Sequence, residues 1–258
     1  MRTALAFAIM WMAAVPARAQ DLKGLKLEKD DKAPEGLEAL RFTYQFDEKK
    51  DAIQGILLKP AGGGPFPAVV VNHGKGGSAA GFGREFGAIF AKKGYVVIAC
   101  DLTHAGRDGG DSKTFAASKE NAERIQACVR VLESLAYVDA KKLCIYGHSM
   151  GAFATVGTCT QTEKFRAAAI TAGGLRNGDG LDTEKNVAKI TTPVLILHGE
   201  ADRTVKPELA KALKAAMDEQ KKTSELKVFE GAGHDLPRTK RDEVFKLILE
   251  FFEKQLKQ

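Results

Sequence analysis

The sequence predicts an α/β fold: a mainly parallel sheet with helices on both faces. Three observations predict it. Apolar runs of strand length alternate with longer segments whose apolar residues recur at three- and four-residue steps. Four runs, Pro67–Asn72, Tyr95–Cys100, Lys142–Tyr146 and Pro193–Leu197, carry apolar residues in succession, as strands buried on both faces do. Residues with chemical capability directly follow several of these runs, and sheets of this kind bind ligands beyond the carboxyl ends of their strands. The 258 residues suffice for one large α/β domain and are short for two; 44% are hydrophobic and 28% charged, an ordinary globular balance.

The N-terminus is read separately. Arg2 is followed by the uncharged apolar run Ala4–Val15, then Pro16 and the small-residue pattern Ala17-Arg18-Ala19. That is the pattern of a secretory signal peptide, residues 1–19, cut after Ala19. The run is too short to cross about 30 Å of hydrocarbon. Residues 20–258 are therefore expected to form a single domain in a periplasmic or extracellular space, with no membrane association after cleavage. Trp11, the sole tryptophan, lies in the leader. The net charge of +6 falls by two when Arg2 and Arg18 leave, and the remainder is spread through mixed stretches such as Glu48-Lys49-Lys50. No basic stripe with interleaved aromatics points to nucleic acid.

Asp21–Pro34 is a charged, loosely held lead-in. Ala39–Phe46 and Ala52–Leu58 alternate apolar and polar residues around a charged turn, which predicts an antiparallel hairpin. The buried runs follow, with Ala167–Thr171 and Glu225–Phe229 as weaker strands. Helices are predicted at Gly83–Lys93, Ser118–Ala136, Met150–Gln161, Lys206–Glu219 and Arg238–Leu256. The uncommitted stretch Gly173–Lys189 has length for a loop or small cap, not for a large cap domain. Cys100, Cys128, Cys144 and Cys159 each sit in apolar surroundings and read as buried thiols. In an exported chain a Cys128–Cys159 bridge is the pairing to look for.

Gly147-His148-Ser149-Met150-Gly151 joins the strand ending at Tyr146 to a helix, the setting of a nucleophile elbow. Its turn is tight enough to require glycine, and the helix that follows turns its positive end toward a developing oxyanion. A serine hydroxyl needs a base. Among five histidines, His234 in the loop Gly231-Ala232-Gly233-His234-Asp235 can reach over to it. His73, His148 and His198 adjoin motif glycines and are expected to pack strand ends, and His104 to line the pocket mouth. The imidazole needs a carboxylate. Asp202 and Glu200 share the loop after Leu197, and both fit the order Ser…acid…His. Asp202 is the choice, being further from the strand end and just before the helix-starting Val205-Lys206-Pro207, with Glu200 as its rival until family likeness is weighed. Oxyanion donors are expected from the backbone of Met150 and from Asn72-His73-Gly74-Lys75-Gly76-Gly77, at Lys75 or alternatively Gly76.

His73-Gly74-x-Gly76-Gly77, the Ser149 elbow, His198-Gly199-x-x-Asp202-x-x-Val205 and Gly233-His234 together resemble the dienelactone hydrolase-like branch of the α/β-hydrolases, over nearly all of the chain from about residue 40. The resemblance implies an eight-stranded sheet and a triad of Ser149, Asp202 and His234 that cleaves esters or lactones. The namesake enzymes carry a cysteine nucleophile; Ser149 in its place points to a broader carboxylesterase-like activity on small-molecule esters. Asp108–Ser112 and Asn177–Asp182 are acidic but lack calcium-loop spacing, and no zinc, phosphate-loop or dinucleotide pattern implies a cofactor. The rival readings are a prolyl-oligopeptidase-type peptidase, which shares the triad order but usually carries an added gating domain, and a non-catalytic binding protein on a hydrolase scaffold.

Overall fold

The computed structural model describes residues 22–106, 114–176 and 180–258. The predicted leader with Trp11, the acidic loop 108–112 and residues 177–179 of the second acidic loop lie outside them. Nine strands are described: β1 (Leu25–Lys29), β2 (Leu37–Tyr44), β3 (Ile53–Pro60), β4 (Phe66–Asn72), β5 (Val96–Cys100), β6 (Val138–His148), β7 (Ala167–Thr171), β8 (Val194–Gly199) and β9 (Ser224–Phe229). They form one sheet in the order β1-β2-β3-β5-β4-β6-β7-β8-β9. Every pairing from β5 through β4 to β9 is parallel, whereas β1, β2 and β3 run antiparallel to their neighbours.

The hairpin is present as β2 and β3. The expected count of eight strands is corrected to nine by β1, which lies within the lead-in expected to be loose. Leu25 and Leu27 are half-buried against the core, while Lys26, Glu28 and Lys29 face solvent. Five residues of alternation are enough to add an edge strand, and the charged outer face blunts that edge.

The helices are α1 (Ala79–Phe82), α2 (Ala88–Ala91), α3 (Lys119–Ser134), α4 (Met150–Cys159), α5 (Thr183–Asn186), α6 (Pro207–Glu219), α7 (Leu236–Thr239) and α8 (Arg241–Leu256). Helices α3, α4 and α6 bury their apolar faces on one side of the sheet; α1, α2 and α8 do so on the other. The predicted helix Gly83–Lys93 begins earlier, capped by Ser78, and widens into a π-helical turn at Gly83–Gly87. Its two glycines lie against the sheet: a Cβ at Gly83 would come 2.6 Å from Ile56, and one at Gly87 2.8 Å from Val97. Close approach, not periodicity, shapes this segment.

Phe90, Tyr146 and Phe245 form a ring cluster with centroids 5.5–5.7 Å apart. Pairs of this kind contribute about 0.5–1.5 kcal/mol each beyond burial. The cluster fixes the root of the Ser149 elbow against α8. The four cysteines are buried free thiols. A Cys128–Cys159 bridge is absent, because Cys128 in α3 faces Cys100 of β5 instead; burial, then that neighbour, pushes the Cys128 thiol up.

Because β4 lies between β5 and β6, the chain leaves β4 for one neighbour and later returns to the other. This is the topological switch point, where the crevice of such a sheet opens. The loop after β4 and the elbow after β6 meet there.

Candidate active site

Ser149 follows β6 with φ 53° and ψ −119°, a backbone conformation that costs a non-glycine residue about 1–3 kcal/mol. The surroundings enforce it. Its N–H donates to the carbonyl of Thr171 at 2.9 Å. A side chain at Gly147 would collide with the Gly151 carbonyl and the Thr155 hydroxyl, and one at Gly151 with the Asn72 carbonyl. The Ser149 hydroxyl does not cap α4, so its oxygen is free for other partners.

That partner is His234, whose Nε2 lies 2.9 Å from Ser149 Oγ. On the far side of the ring, Nδ1 lies 2.8 Å from Asp202 Oδ2. A carboxylate only accepts, so Nδ1 carries the proton and Nε2 is left to accept from the serine. The second Asp202 oxygen accepts from the N–H groups of Thr204 at 2.8 Å and Val205 at 2.9 Å. Burial pushes this carboxyl up, but the bonds from Val205, His234 and Thr204 outweigh it and hold it below the usual carboxylate range. The structure thus brings together Ser149, Asp202 and His234. Glu200 turns away, accepting from the exposed Gly231 N–H at 3.2 Å.

The remaining histidines are buried, or nearly so, among backbone groups. His148 Nδ1 meets the Thr171 hydroxyl at 3.0 Å, and its ring centroid lies 5.2 Å from that of His234. Burial, followed by electrostatic coupling to His234 and Arg238, pulls His148 down to about 3, so it does not compete for the serine proton near neutrality. His198 sits between the carbonyls of Gly173 (Nδ1, 3.2 Å) and Val205 (Nε2, 2.9 Å), with Nε2 also 3.4 Å from Asp202. His104 does not line the pocket mouth as expected; it is wholly buried behind the loop after β4.

For the expected oxyanion donors, Met150 is the first residue of α4, so its N–H has no partner within the helix. Gly74 lies against the nucleophile: a Cβ there would be 3.3 Å from Ser149 Cβ. The Gly74–Lys75 peptide is therefore beside the serine, and the Lys75 side chain points to solvent. Gly76 has φ +71°, a turn that needs glycine. Sequence reasoning passed over an apolar wall in which Met150, Val205 and Leu209, half-buried, pack on Phe153, Ala116 and Ala117. Its sequence signals are Met150 within the elbow and Val205 at the end of the Asp202 motif. Among the described residues, no cluster of three or more His, Cys, Asp or Glu is placed to hold a metal, and no helix is long and apolar enough to cross a membrane.

Comparison with known proteins agrees with this architecture. The model of the dienelactone hydrolase family matches residues 53–246, well over half of the chain. A curated relative, the uncharacterized peptidase YuxL of Bacillus subtilis (strain 168), is 28% identical over 227 residues, covering 72% of this chain and 34% of the relative. The chain spans less than half the length of the curated relatives it matches. The acylaminoacyl peptidase of Pyrococcus horikoshii superimposes with a TM-score of 0.72 at 17% identity, over 93% of this chain and 43% of that one. A cold-adapted esterase from an Arctic intertidal metagenomic library gives 0.71 at 17% identity, over 88% of this chain and 99% of the esterase. These structural likenesses establish the α/β-hydrolase fold; the family match goes further, and the chain belongs to the dienelactone hydrolase family.

Proposed function

We propose that this protein is an exported serine hydrolase that cleaves carboxylic esters or lactones of small molecules through an acyl-enzyme. The observation that carries the reading is the unbroken line of proton-sharing contacts Ser149–His234–Asp202, at 2.9 and 2.8 Å. Ser149 Oγ attacks the carbonyl carbon while its proton passes to His234 Nε2, and Asp202 stabilises the imidazolium. The tetrahedral oxyanion takes hydrogen bonds from the N–H groups of Met150 and Lys75. Collapse breaks the ester bond, and His234 returns the proton to the leaving alkoxide. Water, deprotonated by the same ring, then releases the acid and restores the serine.

Replacing Ser149→Ala should abolish hydrolysis of short p-nitrophenyl esters without lowering the melting temperature. Retained turnover would remove Ser149 from the scheme. A fluorophosphonate probe should label the wild type and not the variant, whereas a silent binding scaffold would stay unlabelled.

The second reading is a peptidase, favoured by the likeness to acylaminoacyl peptidase over 93% of this chain. Amide cleavage would use the same residues, and aminoacyl p-nitroanilides assayed beside esters discriminate. The family match and an esterase likeness spanning 99% of that enzyme favour esters. Export rests on the leader-like residues 1–19. N-terminal sequencing of the secreted or periplasmic protein should begin at Gln20, and an intact Met1 on the active protein would remove export from the proposal.

A further inference from the structure

The segment after β5 grips the loop after β4 at three points. The Leu102 N–H donates to His73 Nε2 at 3.1 Å, His104 Nε2 lies 3.0 Å from the His73 carbonyl, and the Gly106 N–H donates to the Gly77 carbonyl at 2.9 Å. A backbone N–H only donates, so His73 Nε2 is bare and its Nδ1 carries the hydrogen, 2.9 Å from the Gly74 carbonyl. His104 Nε2 faces a carbonyl and so carries its hydrogen too. Two successive carbonyls, His73 and Gly74, are thus each held by an imidazole N–H.

Peptide planarity turns this into a statement about donors. Across a trans peptide the carbonyl and the following N–H point in opposite directions. Drawing the His73 and Gly74 carbonyls toward the rings turns the N–H groups of Gly74 and Lys75 the other way. Gly74 is also the point at which the loop touches Ser149. The rings therefore set the direction of the donor that would meet the oxyanion.

His73 belongs to the loop itself; His104 comes from a separate strand end. It is fully buried, edge-on to His73 at 4.8 Å and to Phe115 at 5.8 Å, and its Nδ1 has no partner among the described residues. A buried nitrogen without a partner destabilises a fold, and an apolar ring of similar size would avoid that penalty. We infer that His104 is a positioning residue for the oxyanion loop: it holds the His73–Gly74 peptide, which is joined directly to the Gly74–Lys75 peptide that carries the Lys75 donor; this rests on the serine-hydrolase reading. Burial draws its pKa down to about 4, which keeps the ring in the neutral, Nε2-protonated form near neutrality.

The test compares His104→Phe, which keeps a ring and removes the donor, with His104→Gln, whose amide N–H reaches about as far as Nε2. Removing one oxyanion donor costs about 10²–10³-fold in kcat, and misaiming one is the milder defect. For His104→Phe we expect kcat on a short p-nitrophenyl ester to fall about 10- to 100-fold, with KM within about threefold and an undiminished melting temperature. His104→Gln should recover most of the loss. Should the Phe variant not fold, His104→Met puts the same question with a flexible apolar side chain. A kcat within twofold of wild type in the apolar variant, or a Gln variant no better than it, overturns the inference. A wild type that neither hydrolyses esters nor takes up fluorophosphonate overturns the hydrolase reading instead.

Discussion

Asp202→Asn tests the site most sharply, because the structure dictates which way the amide must face. One carboxylate oxygen accepts two backbone N–H groups, from Thr204 and Val205, and the other accepts from His234 Nδ1. Asparagine has a single oxygen. Turned toward His234, it would leave its amine opposing two part-buried N–H groups and forfeit both of their bonds, at up to about 1–3 kcal/mol each. Turned toward the backbone, it keeps both of those bonds and gives up only the bond to His234, worth about 0.5–1.5 kcal/mol net. The backbone wins, so the amide NH₂ donates to Nδ1. The imidazole proton then moves to Nε2, which donates toward Ser149 where it formerly accepted, and the serine loses its base. A triad locked in the wrong tautomer loses about 10⁴-fold in rate, equivalent to about 5.4 kcal/mol of transition-state stabilisation. The assay is kcat/KM for a short p-nitrophenyl ester, with circular dichroism to verify the fold. Asp202→Ala removes the orienting group without enforcing the wrong tautomer, so it should be no less active than Asp202→Asn. An Asn variant within tenfold of wild type would refute the assignment of Asp202.

Gly74→Ala places a Cβ 3.3 Å from that of Ser149 and must push the loop back by a few tenths of an ångström; kcat should fall at least about tenfold with KM little changed, and an unaltered kcat would move the oxyanion site elsewhere. Acid should destabilise the fold, because His148 and His104 stay neutral in it down to about 3 and about 4, whereas the unfolded chain takes up these protons near pH 6.5. Below that pH the unfolded state binds more protons and stability falls, by up to about 1.4 kcal/mol per pH unit for each histidine; Asp202, with its lowered pKa, adds a further loss below about pH 4. The urea midpoint at pH 5 should therefore lie below that at pH 7, and an equal or higher value would contradict neutral burial. The four buried thiols should resist a maleimide in the native protein and all react after denaturation without reductant; only two reacting would reveal a bridge.

What the sequence discloses about this site follows from how steric demand selects residue types. The elbow is legible because Gly147 and Gly151 each face an atom that leaves no room for a Cβ. That exclusion is absolute enough to print as glycine in a fixed pattern. His234 is legible by its place, a loop histidine between the last strand and the last helices. Asp202 against Glu200 is harder: both are acids in one loop, and what separates them is a turn whose N–H groups at Thr204 and Val205 close on one carboxylate. The loop's composition is silent on that turn; position in the loop and the family likeness supplied the choice. The edge strand β1 was missed because charged residues outnumber leucines there, and its pairing with β2 depends on partners eleven to nineteen residues away.

His104 marks the boundary of what pattern can reveal. A histidine four residues past the end of a buried strand has the same composition around it whether it rims a pocket or lies beneath one. The difference is the strand order. The chain makes β4, β5 and β6 in succession, but the sheet places β4 in the middle. The loop after β4 is thereby flanked on one side by the β5 segment that holds His104 and on the other by the β6 elbow that holds Ser149. A brace and a nucleophile on opposite sides of one loop follow from that permutation. Residues 31 positions apart, His73 and His104, become partners through it, and no period in the sequence encodes the distance.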